Sequence, residues 1–557
     1  MEEKIKTAEE QTTEKTKKTG KEILNTVVNV VLVLALILGS CGYSLEDYET
    51  LELRRFYQEM GTVDYEDMEY ERPDMTAFQQ SLDEACQIAM EAKNVEEIVD
   101  AIYGFYDHYD WFYTNYFLAD IRYCADLTDI YWEREYNYCA EQAATADAGL
   151  DELYYTLADS PLREELEGEE YFGAGYFDYY EGESIYDDYF LDLLDQETDL
   201  INQYYDLSSQ ALEAADEEEY YDVYGQQMGQ VLVELVVLRQ EIARYAGYDS
   251  YVQFAYDWYY YRDYTPAQVM EYLAEIREEL LPLYLAMDSE AVWDAGYKAC
   301  SEKEAFAYVE SCAENMGGLV KAAFDMMDRR GLYDIGYGEN KYNSSFEVFL
   351  DSYYAPFVFM NAQEWGWDKL TFVHEFGHFA NDYACVGSYA GTDVAEVFSQ
   401  AMEYLSLVYA DGGRDLTALK LADCLCTYVE QAAYAEFEQR LYGLRNPTVE
   451  DVEALYARVC REYGFDSWEF DSRGYVDVTH FYTNPLYIIS YVVSNDVAFQ
   501  IYQLELAEEG VGLALLQESL YSEESWLLTF ADTYGLESPL AEGRVAKVRQ
   551  TLEEILK

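Results

Sequence analysis

Two of the four histidines in this chain stand four residues apart. His374 and His378 enclose Glu375 in the order His-Glu-x-x-His. On a helix, residues four apart share one face, so both imidazoles can bind one metal ion. Glu375 would lie about 100° further round the helix, where it can hold a metal-bound water and take its proton. The alternative is a pair of core histidines on a buried helix. A third ligand near the pair would favour the metal site over this alternative.

A candidate third ligand follows at Glu396, eighteen residues beyond His378. It falls in the first turn of a second helix, predicted to start near Thr392 or Asp393 and to run to about Ala410. A short reversal between two helices can bring this carboxylate to the imidazoles. Two histidines and one carboxylate leave an open position, which is typical of a catalytic zinc site. We therefore predict one Zn²⁺ per chain, with a simple capping box of Asp393 and Glu396 as the alternative.

Glu403 lies seven residues after Glu396, on the same face of the predicted second helix. A histidine that binds a metal through one ring nitrogen commonly donates from the other to a carboxylate. We predict that Glu403 is such a partner of a ligand histidine, and a solvated glutamate is the alternative.

A tyrosine-rich stretch begins at His480 and contains Tyr482, Tyr487 and Tyr491. Asn484 is predicted to cap a helix that starts at the next residue, a proline. Tyr487 and Tyr491 would then share a face, with His480 and Tyr482 in the loop that leads to it. Such donors can stabilise an oxyanion, which amide cleavage requires. A row of tyrosines on a helix is more often part of the core.

Helical periodicity dominates the rest of the chain, which predicts a mainly α protein. Between 331 and 365, glycines and asparagines separate short apolar runs and predict a small sheet beside the helix that carries His374 and His378. The predicted helices cover 74–215 in several segments, 217–245, 266–285 and 302–330, and the predicted strands cover 346–350 and 356–360.

The first 41 residues have the pattern of an export segment. Lysines precede an apolar run at 23–38, which leads into Leu-Gly-Ser and Cys41. This ending resembles the bacterial lipoprotein box, in which the cysteine becomes the lipidated first residue of the mature protein. The alternative is an uncleaved anchor helix, because the run is near the lower length limit for a membrane span. Both interpretations predict an extracytoplasmic protein tethered to a membrane.

The charge is strongly acidic, with 35 basic and 111 acidic residues and a net charge of −76. Such a surface repels phosphate backbones, so nucleic-acid binding is excluded as the main function. Half of the residues are hydrophobic, which indicates a folded chain. The ten cysteines show no zinc-finger spacing and no complete disulfide framework.

Several stretches resemble the M3 family of zinc metallopeptidases, the thimet oligopeptidase and oligoendopeptidase F group. They are His374–His378, Glu396–Glu403, His480 with its tyrosines, and Glu241–Tyr251. The resemblance covers roughly 200–550. It implies a two-lobed helical fold with a deep central channel and zinc on its floor. Family members usually have a glycine-rich strand segment upstream, and this chain departs from that pattern with Asn-Ser-Ser-Phe at 343–346.

The resemblance also implies a role for each matching residue. His374, His378 and Glu396 would bind zinc, Glu375 would be the base, His480 and Tyr491 would stabilise the oxyanion, and Tyr487 and Tyr482 would contact substrate. The predicted domains are an export segment at 1–40, a tether at 41–73, an N-terminal helical region at 74–215 and a catalytic region at 216–557.

The expected function is a membrane-tethered extracytoplasmic zinc oligoendopeptidase that hydrolyses short unfolded peptides. We expect it to be a monomer. One alternative is a surface lipoprotein of the same fold that binds peptides without cleaving them. Another is a zinc carboxypeptidase of related helical architecture.

Overall fold

A computed structural model of the protein describes residues 62–557, except 169–170, 181, 183–184, 212–213, 215, 288–292, 294–295, 388–389, 466–470, 523 and 556–557. The predicted export segment and the first part of the predicted tether lie outside the described residues. Within the described ranges, no helix combines the length and apolar character needed to cross a membrane.

The prediction of a mainly α fold with one small sheet is confirmed. The longer helices are α1 (Met75–Glu91), α2 (Val95–Ala125), α3 (Ile130–Ala158), α4 (Asp188–Ala211), α5 (Gln226–Tyr245), α6 (Tyr251–Trp258), α7 (Pro266–Glu279), α8 (Glu302–Met316), α9 (Gly318–Arg330), α10 (Asp368–Cys385), α11 (Thr392–Tyr409), α12 (Thr417–Leu441), α13 (Val449–Glu462), α14 (Ile489–Ala507), α15 (Val511–Ser519), α16 (Leu527–Thr533) and α17 (Arg544–Ile555). Short helical turns include Arg163–Leu166, Glu217–Glu219, Leu281–Tyr284 and His480–Thr483, and Tyr220–Gly225 is π-helical.

The sheet has the strand order β1-β3-β2. Strand β1 is Tyr333–Asp334, β2 is Ser345–Leu350 and β3 is Ala355–Met360. β3 pairs in parallel with β1 and antiparallel with β2, with Ser345 opposite Met360. β3 is buried along its whole length, while β2 is a half-buried edge strand. The two predicted strands therefore coincide with β2 and β3 to within one residue.

Two hydrophobic cores hold the helices. A smaller core joins α1, α2 and α3 with the turn at 176–180. The larger core includes the C-terminal end of α2, the helices from α4 to α17 and the sheet. Helices α10, α11 and α14 form its centre: α11 packs against α10 on one side and α14 on the other.

The predicted tether is wrong for its described part, because residues 62–73 pack onto the larger core. Met68 is buried. The ring of Tyr65 lies 4.3 Å from that of Phe357. The guanidinium of Arg330 donates to the carbonyl oxygen of Val63. Apolar and aromatic contacts thus extend the folded body upstream of position 74.

Two further helix predictions need correction. The predicted helix at 302–330 is broken at Gly317, whose φ of 66° ends one helix and starts the next. Asn484 does not cap a helix at its N-terminus; it closes the turn His480–Thr483, and α14 starts only at Ile489. The reason is Leu486, which has a left-handed φ of 67° that interrupts the helix.

Candidate metal centre

Helix α10 carries both histidines of the motif and is fixed at its start. The side chain of Asp368 accepts hydrogen bonds from the backbone N–H groups of Gln363 and Trp365. The apolar face of α10 buries Phe372 and Phe376 in the larger core. The core therefore fixes one face of the helix, and the polar face carries the site residues.

Gly377 lets α10 and α11 cross at close range. A Cβ added there would lie 2.6 Å from the Cα of Ser399 and 2.8 Å from the carbonyl oxygen of Phe398. Any side chain would force the helices apart. The contact brings the histidines of α10 opposite the first turns of α11, where Glu396 lies.

The structure brings the three predicted ligands together. His374, His378 and Glu396 each offer one donor atom, and these atoms all lie within 4.8 Å of one another. The Nε2 atom of His374 lies 3.4 Å, and that of His378 3.9 Å, from Oε2 of Glu396. The imidazole rings stand 5.1 Å apart at 78°. Two imidazoles and a carboxylate that converge in this way fit Zn²⁺, and they would leave a position open.

Glu396 is also held from two other sides. The hydroxyl of Tyr487 donates to its Oε1 over 2.7 Å, and the hydroxyl of Ser399 donates to its Oε2 over 3.0 Å. The side chain is almost fully buried. Asp393 and Glu396 do not form a capping box, because α11 has no side-chain cap at its N-terminus.

Glu403 contacts a ligand histidine, as the sequence predicts. Its Oε1 lies 2.9 Å from Nδ1 of His374, and its Oε2 lies 2.8 Å from Nζ of Lys420. Lys420 is itself buried. Burial acts to raise the pKa of Glu403, but the charge of Lys420 and the hydrogen bond to His374 hold it below its usual value. An ionised Glu403 fixes His374 so that Nε2 points at the cluster.

The two histidines differ in their electrostatics. Burial acts to lower the pKa of His374, but the hydrogen bond to Glu403 and the neighbouring carboxylates raise it to about 9. Burial lowers the pKa of His378 to about 4, against the opposing charge of Glu396. A cation that binds both rings must therefore displace a proton from His374, while His378 is already neutral near pH 7.

Glu375 lies beside the cluster and is held from β2. The hydroxyl of Ser345 donates to its Oε1 over 2.7 Å. Burial raises the pKa of Glu375 to about 7, while the charge of His374 and the Ser345 hydrogen bond act against this rise. A carboxyl group that titrates near neutral pH can accept a proton and pass it on. No local signal in the sequence marks Ser345 as a site residue.

His480, Tyr487 and Tyr491 are brought to the other side of the cluster. The hydroxyl of Tyr491 lies 3.3 Å from Nε2 of His480. The ring of His480 stacks on that of Tyr487 at 5.2 Å and 7°. Burial lowers the pKa of His480, which keeps the ring neutral. Burial and the charge of Glu396 raise the pKa of both tyrosines, so both hydroxyls keep their protons as donors.

Tyr482 does not reach the cluster, which corrects its expected role as a substrate contact. It is fully buried, and its ring stacks on Tyr204 at 3.8 Å. The buried Arg239 donates to the backbone carbonyls of Phe481 and Tyr482. The residue therefore belongs to the support of the His480 turn.

A buried ionic cluster fixes the start of α11. The side chain of Asp393 accepts from the guanidinium of Arg262, from the hydroxyl of Tyr264 over 2.6 Å and from the hydroxyl of Ser490 over 2.5 Å. Arg262 and Ser490 come from distant parts of the chain. This cluster joins α11 to α14 one turn before Glu396, and no local sequence signal marks it.

The fold and one family profile relate the chain to known peptidases. The profile of the peptidase M3 N-terminal domain matches residues 65–184. The resemblance to the M3 family is confirmed. The profile lies upstream of the stretches that carry the resemblance in the sequence. No curated protein matches the chain by sequence.

Three solved structures share the fold over nearly their whole length. A protein provisionally assigned as oligoendopeptidase F has 20% identity and a TM-score of 0.78, over 89% of this chain and 99% of its own. PZ peptidase A with an inhibitor has 20% identity and a TM-score of 0.77, over 88% and 98%. Another provisionally assigned oligoendopeptidase F, from Bacillus anthracis str. Ames, has 19% identity and a TM-score of 0.76, over 89% and 98%. At 20% identity or less, these likenesses show a shared fold.

Proposed function

We propose that this chain is a zinc oligoendopeptidase that hydrolyses short unfolded peptides. The observation that carries the proposal is the convergence of His374, His378 and Glu396 from two crossing helices, with Glu375 held beside them. The M3 N-terminal profile and the oligoendopeptidase F fold support it.

In this mechanism His374, His378 and Glu396 hold the zinc. Bound zinc supplies Lewis acidity to the scissile carbonyl and lowers the pKa of water. Glu375 takes the proton from the attacking water and delivers it to the leaving amine. Burial raises the pKa of this carboxyl above its usual value, which makes it a stronger base than a solvated glutamate.

His480 and Tyr491 supply neutral donors for the oxyanion that forms at the attacked carbonyl. Donors that are already positioned can stabilise this charge without reorganisation, which is commonly a large contribution to catalysis. Tyr487 donates to Glu396 in the described structure, so its first role here is to orient the ligand carboxylate. A contact to substrate would be an addition to that role.

Internal cleavage and carboxypeptidase activity predict different products. Mass spectrometry of mixed peptides after digestion distinguishes the two, since only an endopeptidase releases fragments from both sides of an internal bond.

We propose an extracytoplasmic, membrane-tethered location on the strength of the sequence alone, from the apolar run at 23–38 and Cys41. Replacing Cys41 with Ser should prevent lipidation and release the protein from the membrane fraction. Retention of Cys41→Ser in the membrane would instead support an uncleaved anchor helix.

The activity is tested with Glu375→Gln, which keeps the shape of the base and removes its proton acceptor. We expect the variant to retain one zinc per chain and to lose nearly all hydrolysis of a quenched peptide. Substantial residual turnover would contradict the assigned base. Wild-type protein that binds peptides without zinc and without cleavage would instead be a peptide-binding protein.

A further inference from the structure

A cavity of about 580 Å³ takes no part in the mechanism above. Its wall is formed by Tyr261, Ser522, Glu524, Ser525, Trp526 and Thr533. We propose that it binds a basic side chain of the peptide substrate, so that the enzyme prefers lysine- or arginine-containing peptides. This inference rests on the proposed peptidase function and names the substrate class for it.

The wall has the chemistry that recognises an organic cation. The side chains of Tyr261 and Trp526 are 61% and 52% exposed, which is high for large aromatic residues in this chain. An aromatic face attracts an ammonium or guanidinium group. Oε1 of Glu524 accepts from the backbone N–H of Trp526 over 3.0 Å, which fixes the carboxylate in the same wall. Two aromatic rings and a carboxylate together select a cation over a neutral or acidic side chain.

Tyr261 is held in an unfavourable conformation by the contacts of its two chain neighbours. Its φ is 47°, in the left-handed region that bulky residues rarely adopt. On one side, the hydroxyl of Tyr260 donates to the carbonyl of Pro485 over 2.8 Å. On the other side, the guanidinium of Arg262 pairs with Asp393. Strained residues that are fixed in this way cluster at binding sites.

Another part of the wall contacts the residue that precedes α11, the helix that carries Glu396. A Cβ added to Gly391 would lie 2.1 Å from the carbonyl oxygen of Ser525, so these two backbones are in contact. Gly391 immediately precedes α11, and Glu396 follows five residues later, roughly 8 Å along the helix axis. About two to four extended residues would span the distance from Glu396 to the wall at Ser525.

The surface charge points to the same class of peptide. The chain has 35 basic and 111 acidic residues. Several of its few cations are removed from the surface by burial: Arg239, Arg262, Arg330, Lys341, Lys420 and Arg544. The long-range field therefore attracts cationic peptides and repels acidic ones, and salt screens it. The cavity would add a short-range, position-specific preference to this general attraction.

The test uses quenched peptides of one length and one scissile core. A lysine, a norleucine or a glutamate is placed at each of the four positions on either side of the cleaved bond. At one position we expect lysine to raise kcat/KM about 5- to 10-fold over norleucine, mainly through KM. This advantage should persist at high salt, where the general attraction is screened. Equal kcat/KM for lysine and norleucine at every position at high salt would overturn the proposal.

Two matched variants assign the preference to the cavity. Glu524→Gln should reduce the lysine-to-norleucine ratio towards one, while Glu542→Gln should leave it unchanged. Glu542 is an exposed carboxylate outside the cavity wall, so its replacement removes the same charge from the overall field. An unchanged ratio in Glu524→Gln, or an equal fall in Glu542→Gln, would overturn the proposal. Thermal unfolding of each variant verifies that it is folded.

A binding measurement keeps the proposal separate from the proposed activity. Labelled lysine and norleucine peptides are titrated with Glu375→Gln, alone and combined with Glu524→Gln, and followed by fluorescence anisotropy. Tighter binding of the lysine peptide that is lost in the double variant supports the cavity. If wild-type protein cleaves no peptide, the proposed function fails, and the anisotropy ratio still decides whether the cavity selects a cation.

Discussion

The hydroxyl of Ser345 donates to Oε1 of Glu375 over 2.7 Å, which ties the proposed base to the edge strand β2. We expect Ser345→Ala to lower kcat about 3- to 10-fold with little change in KM, because one hydrogen bond of about 1 kcal/mol no longer orients the base. Ser345→Thr retains the hydroxyl and should restore most of the activity. Steady-state kinetics on one quenched peptide measures all of these values.

Ser344→Ala provides the control for this prediction. Ser344 is the neighbouring residue, and it is exposed. Among the described residues, its hydroxyl has one hydrogen-bond partner, the carbonyl oxygen of Ser345 at 3.5 Å. An equal fall in kcat for both alanine variants would assign the effect to the strand and not to the hydrogen bond.

The path from Lys420 through Glu403 to His374 predicts a defect in metal affinity. Glu403→Ala removes the acceptor that fixes His374, so we expect zinc affinity to fall about 10- to 100-fold. Competition with a chromophoric chelator measures this constant, and excess zinc should recover activity. Asp423→Asn is the control, because Asp423 also pairs with Lys420, at 2.8 Å, and is not one of the residues paired with His374. A zinc affinity of Glu403→Ala equal to that of wild type would exclude this role.

Tyr491 and Tyr482 provide a matched pair for the oxyanion proposal. Tyr491→Phe removes a hydroxyl beside His480, and we expect kcat to fall about 100-fold while KM changes little. Tyr482→Phe removes a buried hydroxyl that has no hydrogen-bond partner among the described residues. We expect its kcat to stay near the wild-type value. Similar kinetics for the two variants would mean that the hydroxyl of Tyr491 does not take part in catalysis.

The sequence predicts the parts of the site that depend on local spacing. A four-residue interval on one helix places His374 and His378 together in any helical context, and short apolar runs between glycines place β2 and β3. Which tyrosine faces the metal is not local information. A left-handed turn at Leu486 separates Tyr482 from Tyr487. Tyr482 lies in the core, whereas Tyr487 donates to Glu396.

The supporting contacts could not be predicted because their partners are far apart in the sequence. Arg262 and Asp393 are 131 residues apart, and Ser345 and Glu375 are 30 apart. A lone arginine or serine in the sequence does not indicate which carboxylate it will meet after folding. Such contacts depend on how α10, α11 and α14 pack against each other.

Gly377 and Gly104 test the close crossing of α10 and α11. Both glycines are inside helices, but a Cβ at 377 would lie 2.6 Å from backbone, whereas one at 104 would meet nothing within 4 Å. Gly104→Ala should therefore stabilise the protein by about 0.5–1 kcal/mol through helix propensity. Gly377→Ala should destabilise it by several kcal/mol and weaken zinc binding, since the helices must separate. Urea unfolding and zinc analysis measure both effects, and a Gly377→Ala variant as stable as Gly104→Ala would exclude the steric argument.

Glu438 predicts an unusual pH dependence of stability. It is buried, its Oε1 accepts from the backbone N–H of Leu486 over 2.6 Å, and burial raises its pKa to about 8 against an ordinary value of 4.5. At pH values between these two pKa values, Glu438 therefore keeps its proton in the folded state and has lost it in the unfolded state. The stability from this group is complete below about pH 4.5 and is lost as the pH rises through about 8.

Glu438→Gln should remove this dependence, because the amide resembles the protonated carboxyl and still accepts from Leu486. We expect the free energy of unfolding of the variant, relative to wild type, to increase between pH 5 and pH 8.5. Urea unfolding at both pH values measures it, and Glu271→Gln on the exposed face of α7 controls for the loss of one surface charge. A difference between Glu438→Gln and wild type that is the same at both pH values would mean that Glu438 is ionised in the folded protein throughout, with its charge balanced by Arg262 and Arg239, the two cations that act on it.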